Sequence, residues 1–119
     1  MLNRSFTAVV ERNVTLTENF ITEPYETGWA KEARWFIRIL DMTPGTSLHV
    51  RPQLSPDGLF WCDAECAGLT INGPGPGMVT LPTPDNFGHW LALKGAFIGS
   101  GDAEAPPSVK LIIYLALKE

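Results

Sequence analysis

Three carboxylates lie close together in the sequence, around a turn in the middle of the chain. Asp57 belongs to the turn sequence SPDG at 55–58, and Asp63 and Glu65 follow it. Neighbouring carboxylates can serve as general acid and base when burial raises the pKa of one of them. The local sequence predicts no such burial, because Pro, Asp and Gly in this order are the residues that a turn favours. We therefore interpret all three as turn or surface residues.

Two histidines and two cysteines are the remaining candidates for chemistry. His49 and His89 fall on the non-core registers of β-type segments, which favours surface or interface positions over a catalytic base. Cys62 and Cys66 lack the C-x-x-C spacing of redox and zinc sites. We expect two ordinary buried or half-buried thiols, with a local disulfide or a four-ligand Cys/His metal site as the alternatives.

No sequence signature of a common enzyme class is present. The chain contains no P-loop, dinucleotide fingerprint, nucleophile elbow or H-E-x-x-H motif. A cupin-like enzyme would need clustered His and Glu metal ligands, which the sequence also lacks. We therefore expect no enzymatic activity and no cofactor.

The composition bounds the class of protein. The chain has 119 residues, of which 45% are hydrophobic and 18% charged, and this predicts one folded domain. Its net charge is −4 and its Lys and Arg residues are not clustered, so nucleic acid is not an expected partner. No apolar run approaches the ~18 residues of a membrane span, and the first residues do not form a signal peptide. We expect a protein that is made and kept in a cytoplasm, or assembled there into something larger.

Short apolar segments with period-two alternation predict an all-β fold. Segment 47–54 places Leu48, Val50, Pro52 and Leu54 on one face, and Pro52, which cannot donate a hydrogen bond, predicts a sheet edge or a bulge there. Segment 33–42 is apolar on both faces, which predicts a central strand. With tight turns at 43–46 and 55–58, residues 33–64 predict a three-stranded antiparallel meander.

The other segments bring the total to about eight strands. Two strong strands are predicted near the end, at 89–99 and 108–118, joined by an exposed loop at 100–107. The others are weaker or shorter, at 6–10, 13–17, 69–71 and 78–81, and 22–32 is predicted to be a loop. This number of strands and turns predicts a jelly roll or antiparallel β-sandwich over residues 1–119, with 1–30 as an N-terminal arm or extended segment.

Aromatic residues outside the predicted core are candidates for an interface. Trp35 and Trp90 are expected to fill the core. Trp29 lies beside Tyr25 in a predicted loop, where an exposed aromatic pair would mark an interface anchor or a sugar-stacking platform, although core filling is an equal alternative. Three further apolar residues point away from the core and would need covering by a neighbour, namely Phe36, Ile112 and Tyr114.

Two long stretches resemble a known class of proteins. RWFIRILDMTPGTSLHVRPQLSPDGLFW and HWLALKGAFIGSGDAEAPPSVKLIIYLALK resemble small β-sandwich structural proteins of tailed phages and prophages. In those proteins a strand ending in LD(V/M)T leads through a short turn to an L-x-V-x-x-Q-x-S-x-D-G-x-x-W hairpin. A later strand, a Gly/Ser/Pro loop and a final alternating strand then close the sandwich. The resemblance covers residues 33–118, about three quarters of the chain.

This resemblance implies a virion structural protein, similar to the jelly-roll decoration or cementing proteins of phage heads. Such a protein binds the major capsid protein lattice and stabilises the head by mass action. The implied location is the virion, assembled in the cytoplasm of the bacterial host, with a tail, neck or baseplate position also open. We expect a homo-oligomer, with a trimer favoured, and an interface that includes Tyr25, Trp29, Arg51, Asp57 and Tyr114.

A second hypothesis is a carbohydrate-binding or receptor-binding module, including a component of the tail or baseplate. Similar S-x-D-G-x-x-W hairpins occur in discoidin-like and other carbohydrate-binding sandwiches. In this hypothesis Trp29, Tyr25 and Trp61 stack on sugar rings, and Asp57 or Asn72 forms hydrogen bonds with the hydroxyl groups.

Overall fold

The computed structural model describes residues 5–73, 77–84, 87–98 and 107–119. These residues form ten strands and no helix, so none of them forms a helix that could cross a membrane. The strands are β1 (Ser5–Leu16), β2 (Phe20–Ile21), β3 (Tyr25–Glu26), β4 (Glu32–Met42), β5 (Ser47–Ser55), β6 (Cys62–Asp63), β7 (Leu69–Asn72), β8 (Gly77–Thr83), β9 (Trp90–Ile98) and β10 (Val109–Lys118).

The strands pair into two antiparallel sheets. In sheet A the order is β1-β10-β4-β8. Sheet B is centred on the paired strands β9 and β5. The short strands β2 and β3 pair with the other side of β9, and β6 and β7 pair with the other side of β5. The predicted all-β fold built from antiparallel strands is therefore confirmed.

The core lies between the two sheets, and its side chains come from strands in which buried and exposed residues alternate. Every second residue of β10 from Val109 to Leu117 is at most 2% exposed. From the other sheet, Leu48 and Leu93 are completely buried in the same cluster. Trp35 is also completely buried, as predicted, and its indole N–H donates to Thr83 Oγ1 at 2.9 Å. Trp90, which was also predicted to fill the core, is half-buried and lies outside the core cluster.

The predicted meander over residues 33–64 is wrong. β4 pairs with β10 and β8, whereas β5 pairs with β9, so the turn at 43–46 carries the chain from sheet A to sheet B. Alternation shows which face of a strand is buried, but two strands joined by a short turn can share a core either side by side or across it. Only the hairpin of β5 and β6 remains, with the two pairs Gln53↔Asp63 and Leu54↔Cys62.

Pro52 lies in a central strand, at a position where no ladder partner is needed. On one side of β5, the pairing with β7 ends at Val50 and the pairing with β6 begins at Gln53. The Pro52 carbonyl faces this gap, where it accepts a hydrogen bond from Ala64 N at 2.9 Å. Since N and C=O of one strand residue point to the same side, the missing N–H also faces the gap.

The N-terminal segment belongs to both sheets. The two predicted strands at 6–10 and 13–17 are one strand, β1, which pairs with β10 and has register shifts between Val9 and Val14. Part of the loop predicted at 22–32 is β3, which pairs with β9, as β2 does. Most of the loop predicted at 100–107 lies outside the described residues.

Candidate interaction surfaces

The outward side chains of sheet A form a surface that is both apolar and cationic, called face A below. In register across the sheet, Tyr114 of β10 is paired with Phe36 of β4 on one side and with Val9 of β1 on the other. These three apolar residues form the central row of face A. The members of face A are Val9, Arg34, Phe36, Arg38, Met78, Ile112, Tyr114 and Ala116. Most are half-buried by one another, whereas Met78 is 57% exposed.

Two arginines flank the aromatic centre of face A. Arg34 and Arg38 lie on either side of Phe36 in β4, and both are exposed. Arg34 Nη1 donates to Thr80 Oγ1 at 3.2 Å, which holds its guanidinium against the sheet. At the two ends of the face, lysines are in register with carboxylates, Lys118 with Glu32 and Lys110 with Asp41. The centre of face A is therefore positive on a chain whose net charge is −4.

A hollow of about 350 Å³ lies at one end of face A. It is lined by Arg34, Phe36, Pro82 and Ala116 among others, so it combines an aromatic wall with a cationic edge. A hollow of this size can accept one or two side chains of a partner protein.

The SPDG turn is held by side-chain hydrogen bonds and presents two apolar residues to solvent. Asp57 Oδ1 accepts hydrogen bonds from Leu59 N at 2.9 Å and Phe60 N at 3.1 Å, and Ser55 Oγ accepts one from Gly58 N at 2.8 Å. Gly58 has φ of 81°, a conformation that suits glycine. Leu59 and Phe60 are each 76% exposed. The feature of the sequence that could have predicted this exposed apolar pair is the position of two large apolar residues directly after a turn.

Lowering the pH below the usual range of aspartate is expected to loosen this turn. The backbone N–H groups of Leu59 and Phe60 lower the pKa of Asp57 from its usual 3.8. The carboxylate therefore supports the turn fully above 3.8, and this support is lost as the pH falls through the lowered value. In that pH range, amide hydrogen exchange of Leu59 and Phe60 should become faster than its intrinsic pH dependence alone would make it. Asp57→Ala should show the fast exchange at neutral pH; protection unchanged in this variant would contradict the assigned role of Asp57.

The outward side of sheet B, called face B below, contains a network of polar side chains beside exposed apolar residues such as Ile21 and Ile98. Arg51 Nη1 donates to Asp63 Oδ2 at 3.0 Å, and Gln53 Nε2 donates to Asp63 Oδ1 at 2.7 Å. These hydrogen bonds, first that of Gln53 and then that of Arg51, lower the pKa of Asp63. Lys94 is in register with Arg51 on the neighbouring strand β9 and is exposed. Face B thus has a prearranged network of polar groups where face A has apolar side chains.

The five residues predicted for the interface do not form one site. Tyr114 lies on face A and Arg51 on face B, which are opposite sides of the sandwich, and Asp57 holds the turn. Tyr25 and Trp29 are half-buried and pack against the core, so they do not form an exposed aromatic pair. Tyr25 is in register with Leu91 in sheet B. This pairing with β9 makes a short strand of residues that the sequence predicts to be a loop.

The histidines and cysteines form no cluster with one another. His49 Nδ1 lies 3.2 Å from Thr70 Oγ1, and His89 is exposed. Cys62 and Cys66 are free thiols, the first exposed, contrary to prediction, and the second half-buried. Within the described ranges no group of three or more His, Cys, Asp and Glu side chains is arranged to hold a metal ion.

The comparisons with known proteins give a weak structural similarity and no match in sequence. No protein-family model matches the chain, and no curated protein sequence matches it. Among solved structures, the dimeric latent PorU from Porphyromonas gingivalis aligns with a TM-score of 0.32 and 11% sequence identity. The alignment covers 98% of this chain and 10% of PorU. This likeness carries no argument about fold or function.

Proposed function

We propose that this protein is a non-enzymatic virion structural protein, a jelly-roll decoration or cementing protein that binds the capsid lattice of a tailed phage as a homo-oligomer whose subunits meet through face A. The proposal rests on the resemblance of residues 33–118 and on one observation, the composition of face A. Tyr, Phe, Met and Arg are enriched at protein interfaces, whereas Lys, Glu, Asp and Ser are depleted. The centre of face A contains Tyr114, Phe36, Met78 and two arginines, and its lysines and carboxylates lie at the ends.

The size of face A fits this role. Four strands spaced ~4.8 Å apart, each nine or so residues long at ~3.3 Å per residue, give a surface of roughly 19 by 30 Å. The projected area is therefore about 570 Å², roughly 70% of the ~800 Å² per partner of a standard protein interface. A protein that engages only the assembled lattice stabilises it in proportion to occupancy, without any covalent step.

The distribution of charge supports a homo-oligomer with a ring arrangement. Two copies stacked face A to face A would bring Arg34 and Arg38 against the same arginines of the partner, which is unfavourable. Exposed carboxylates lie elsewhere, at Glu18, Glu23 and Glu26. A contact between face A of one copy and this acidic segment of the next would be heterologous, and heterologous contacts that close generate rings such as trimers.

Purified particles test the proposal directly. Particles released from the host that encodes this chain would be separated on a density gradient and probed with an antibody against the protein. We expect the chain to sediment with intact particles and to leave the particle fraction when the capsid is dissociated. Particles that lack the chain, with all of it in the soluble fraction, would contradict the proposal.

Methionine oxidation is expected to report whether face A is covered in the assembled state. Met78 is 57% exposed in the isolated chain, whereas Met42 is 2% exposed and serves as an internal control. Dilute peroxide should therefore oxidise Met78 quickly in the monomeric chain and much more slowly in the oligomer on particles. Peptide mass spectrometry would measure both rates. Equal oxidation of Met78 in the two states would show that its part of face A stays uncovered.

A further inference from the structure

A groove crosses face B, on the side of the molecule opposite face A. It lies between β2 and the segment that leads into β6, and its volume is about 430 Å³. This volume falls within the ~300–1,000 Å³ of small-ligand sites. Trp61, Ile21, Asn19, Gln53 and Lys94 are among the residues that line it. The groove is open to solvent, so it suits a segment of an extended chain better than an enclosed small molecule.

The groove combines one indole ring with polar groups that are held in place. Trp61 is half-buried, so part of its ring remains available at the groove. Gln53 is 4% exposed and is oriented by its hydrogen bond to Asp63 at 2.7 Å. Asn19 Oδ1 accepts a hydrogen bond from Phe97 N at 2.9 Å, which fixes this side chain while its amide N–H₂ group remains a donor.

A pyranose ring matches this arrangement chemically. One face of such a ring carries C–H groups that pack on an indole, and its hydroxyl groups around the rim exchange hydrogen bonds with amides. The charge of the groove indicates which kind of sugar it would prefer. Lys94 lines the groove, and its charge also acts on Asp63, which is hydrogen-bonded by Arg51 and Gln53. Two cations, Arg51 and Lys94, thus face the single carboxylate of Asp63, and a carboxylate on the sugar would meet the remaining positive charge.

We propose that this groove binds a polysaccharide segment of pyranose units, with uronate units preferred over neutral ones. Trp61 supplies the stacking platform, Gln53 and Asn19 bind hydroxyl groups, and Lys94 binds the carboxylate. The site lies opposite face A, so both surfaces can be occupied at once. The inference does not depend on the proposed virion role, and on a particle it would place a sugar-binding surface outward.

Titrations with three defined probes test the site. The probes are a β-1,4-linked mannuronate pentamer, cellopentaose and maltopentaose, followed by the Trp61 indole resonance in NMR spectra. We expect the mannuronate pentamer to bind in the ~mM range or tighter and to bind more tightly than either neutral probe. Trp61→Ala should lose binding, Trp61→Phe should retain part of it, and Lys94→Gln should remove the preference for the acidic probe. Lys31→Gln removes an exposed lysine outside the groove lining; it is the matched control for Lys94→Gln and should bind as the unaltered chain does.

Each contrary outcome overturns a defined part of the inference. No perturbation by any of the three probes, or full binding by a folded Trp61→Ala variant, would overturn the groove as a sugar site. Equal affinity of the unaltered chain for the acidic and neutral pentamers would overturn the assignment of Lys94. Neither result bears on the proposed virion role, which the density-gradient experiment tests separately.

Discussion

Tyr114→Glu is expected to turn a closed oligomer into a folded monomer and to remove the protein from particles. Tyr114 lies in the central row of face A, between Val9 and Phe36. A carboxylate there would be buried in the interface, and central interface residues of this kind contribute ~2–4 kcal/mol, which corresponds to about 30- to 1,000-fold in affinity. In the free chain the new carboxylate stays in solvent beside Arg34 and Arg38, so the fold should survive.

Sedimentation velocity and particle co-sedimentation would measure this effect. Thr70→Glu adds the same charge at an exposed position of β7 in sheet B and serves as the control. It should remain oligomeric and particle-bound, while circular dichroism verifies that both variants are folded. If Tyr114→Glu kept the oligomer and full occupancy on particles, face A would not be the interface.

Trp35→Ala is expected to have the largest effect on stability, a loss of ~3–5 kcal/mol in the free energy of unfolding. Trp35 is completely buried between the sheets, and its removal leaves a cavity that the surrounding strands cannot fill. Domains of this size are stable by only ~5–15 kcal/mol, so this loss is a large share of the total and the variant should unfold at a much lower urea concentration. Urea denaturation followed by circular dichroism would measure the loss.

The buried hydrogen bond of Trp35 gives this prediction a finer test. Thr83→Val removes the acceptor of the indole N–H and should cost ~1–3 kcal/mol, because the buried donor is left unpaired. In the Trp35→Phe background, which has no indole N–H, Thr83→Val should cost much less. Equal costs in the two backgrounds would show that the hydrogen bond does not contribute to stability.

The strands that build the core could be predicted from the sequence because burial enforces alternation. β10 carries five apolar residues at every second position, and all five are buried. β4 is apolar on both faces, and it proves to be an inner strand between β10 and β8. Pro52 also indicated a missing ladder partner, although the gap lies between two short strands and not at a sheet edge.

The pairing of strands and the exposure of aromatic residues could not be predicted in the same way. Residues 33–64 suggested consecutive pairing, but a turn of four residues can also cross from one sheet to the other, as it does before β5. Trp29 and Tyr25 looked exposed because they lie among loop-type residues, yet they pack against the core at its rim. Of the three residues for which the sequence suggested a sugar-stacking role, we propose that role only for Trp61; the groove beside it is also lined by Lys94 and Asn19, which are remote from it in sequence.

The solution mass of the unaltered protein tests the central claim, that face A is an interface between protein subunits. Size-exclusion chromatography with light scattering would be run over a wide range of protein concentration. We expect a closed oligomer, a trimer of 13.1 kDa chains, that Tyr114→Glu dissociates. A mass of 13.1 kDa at every concentration would contradict it.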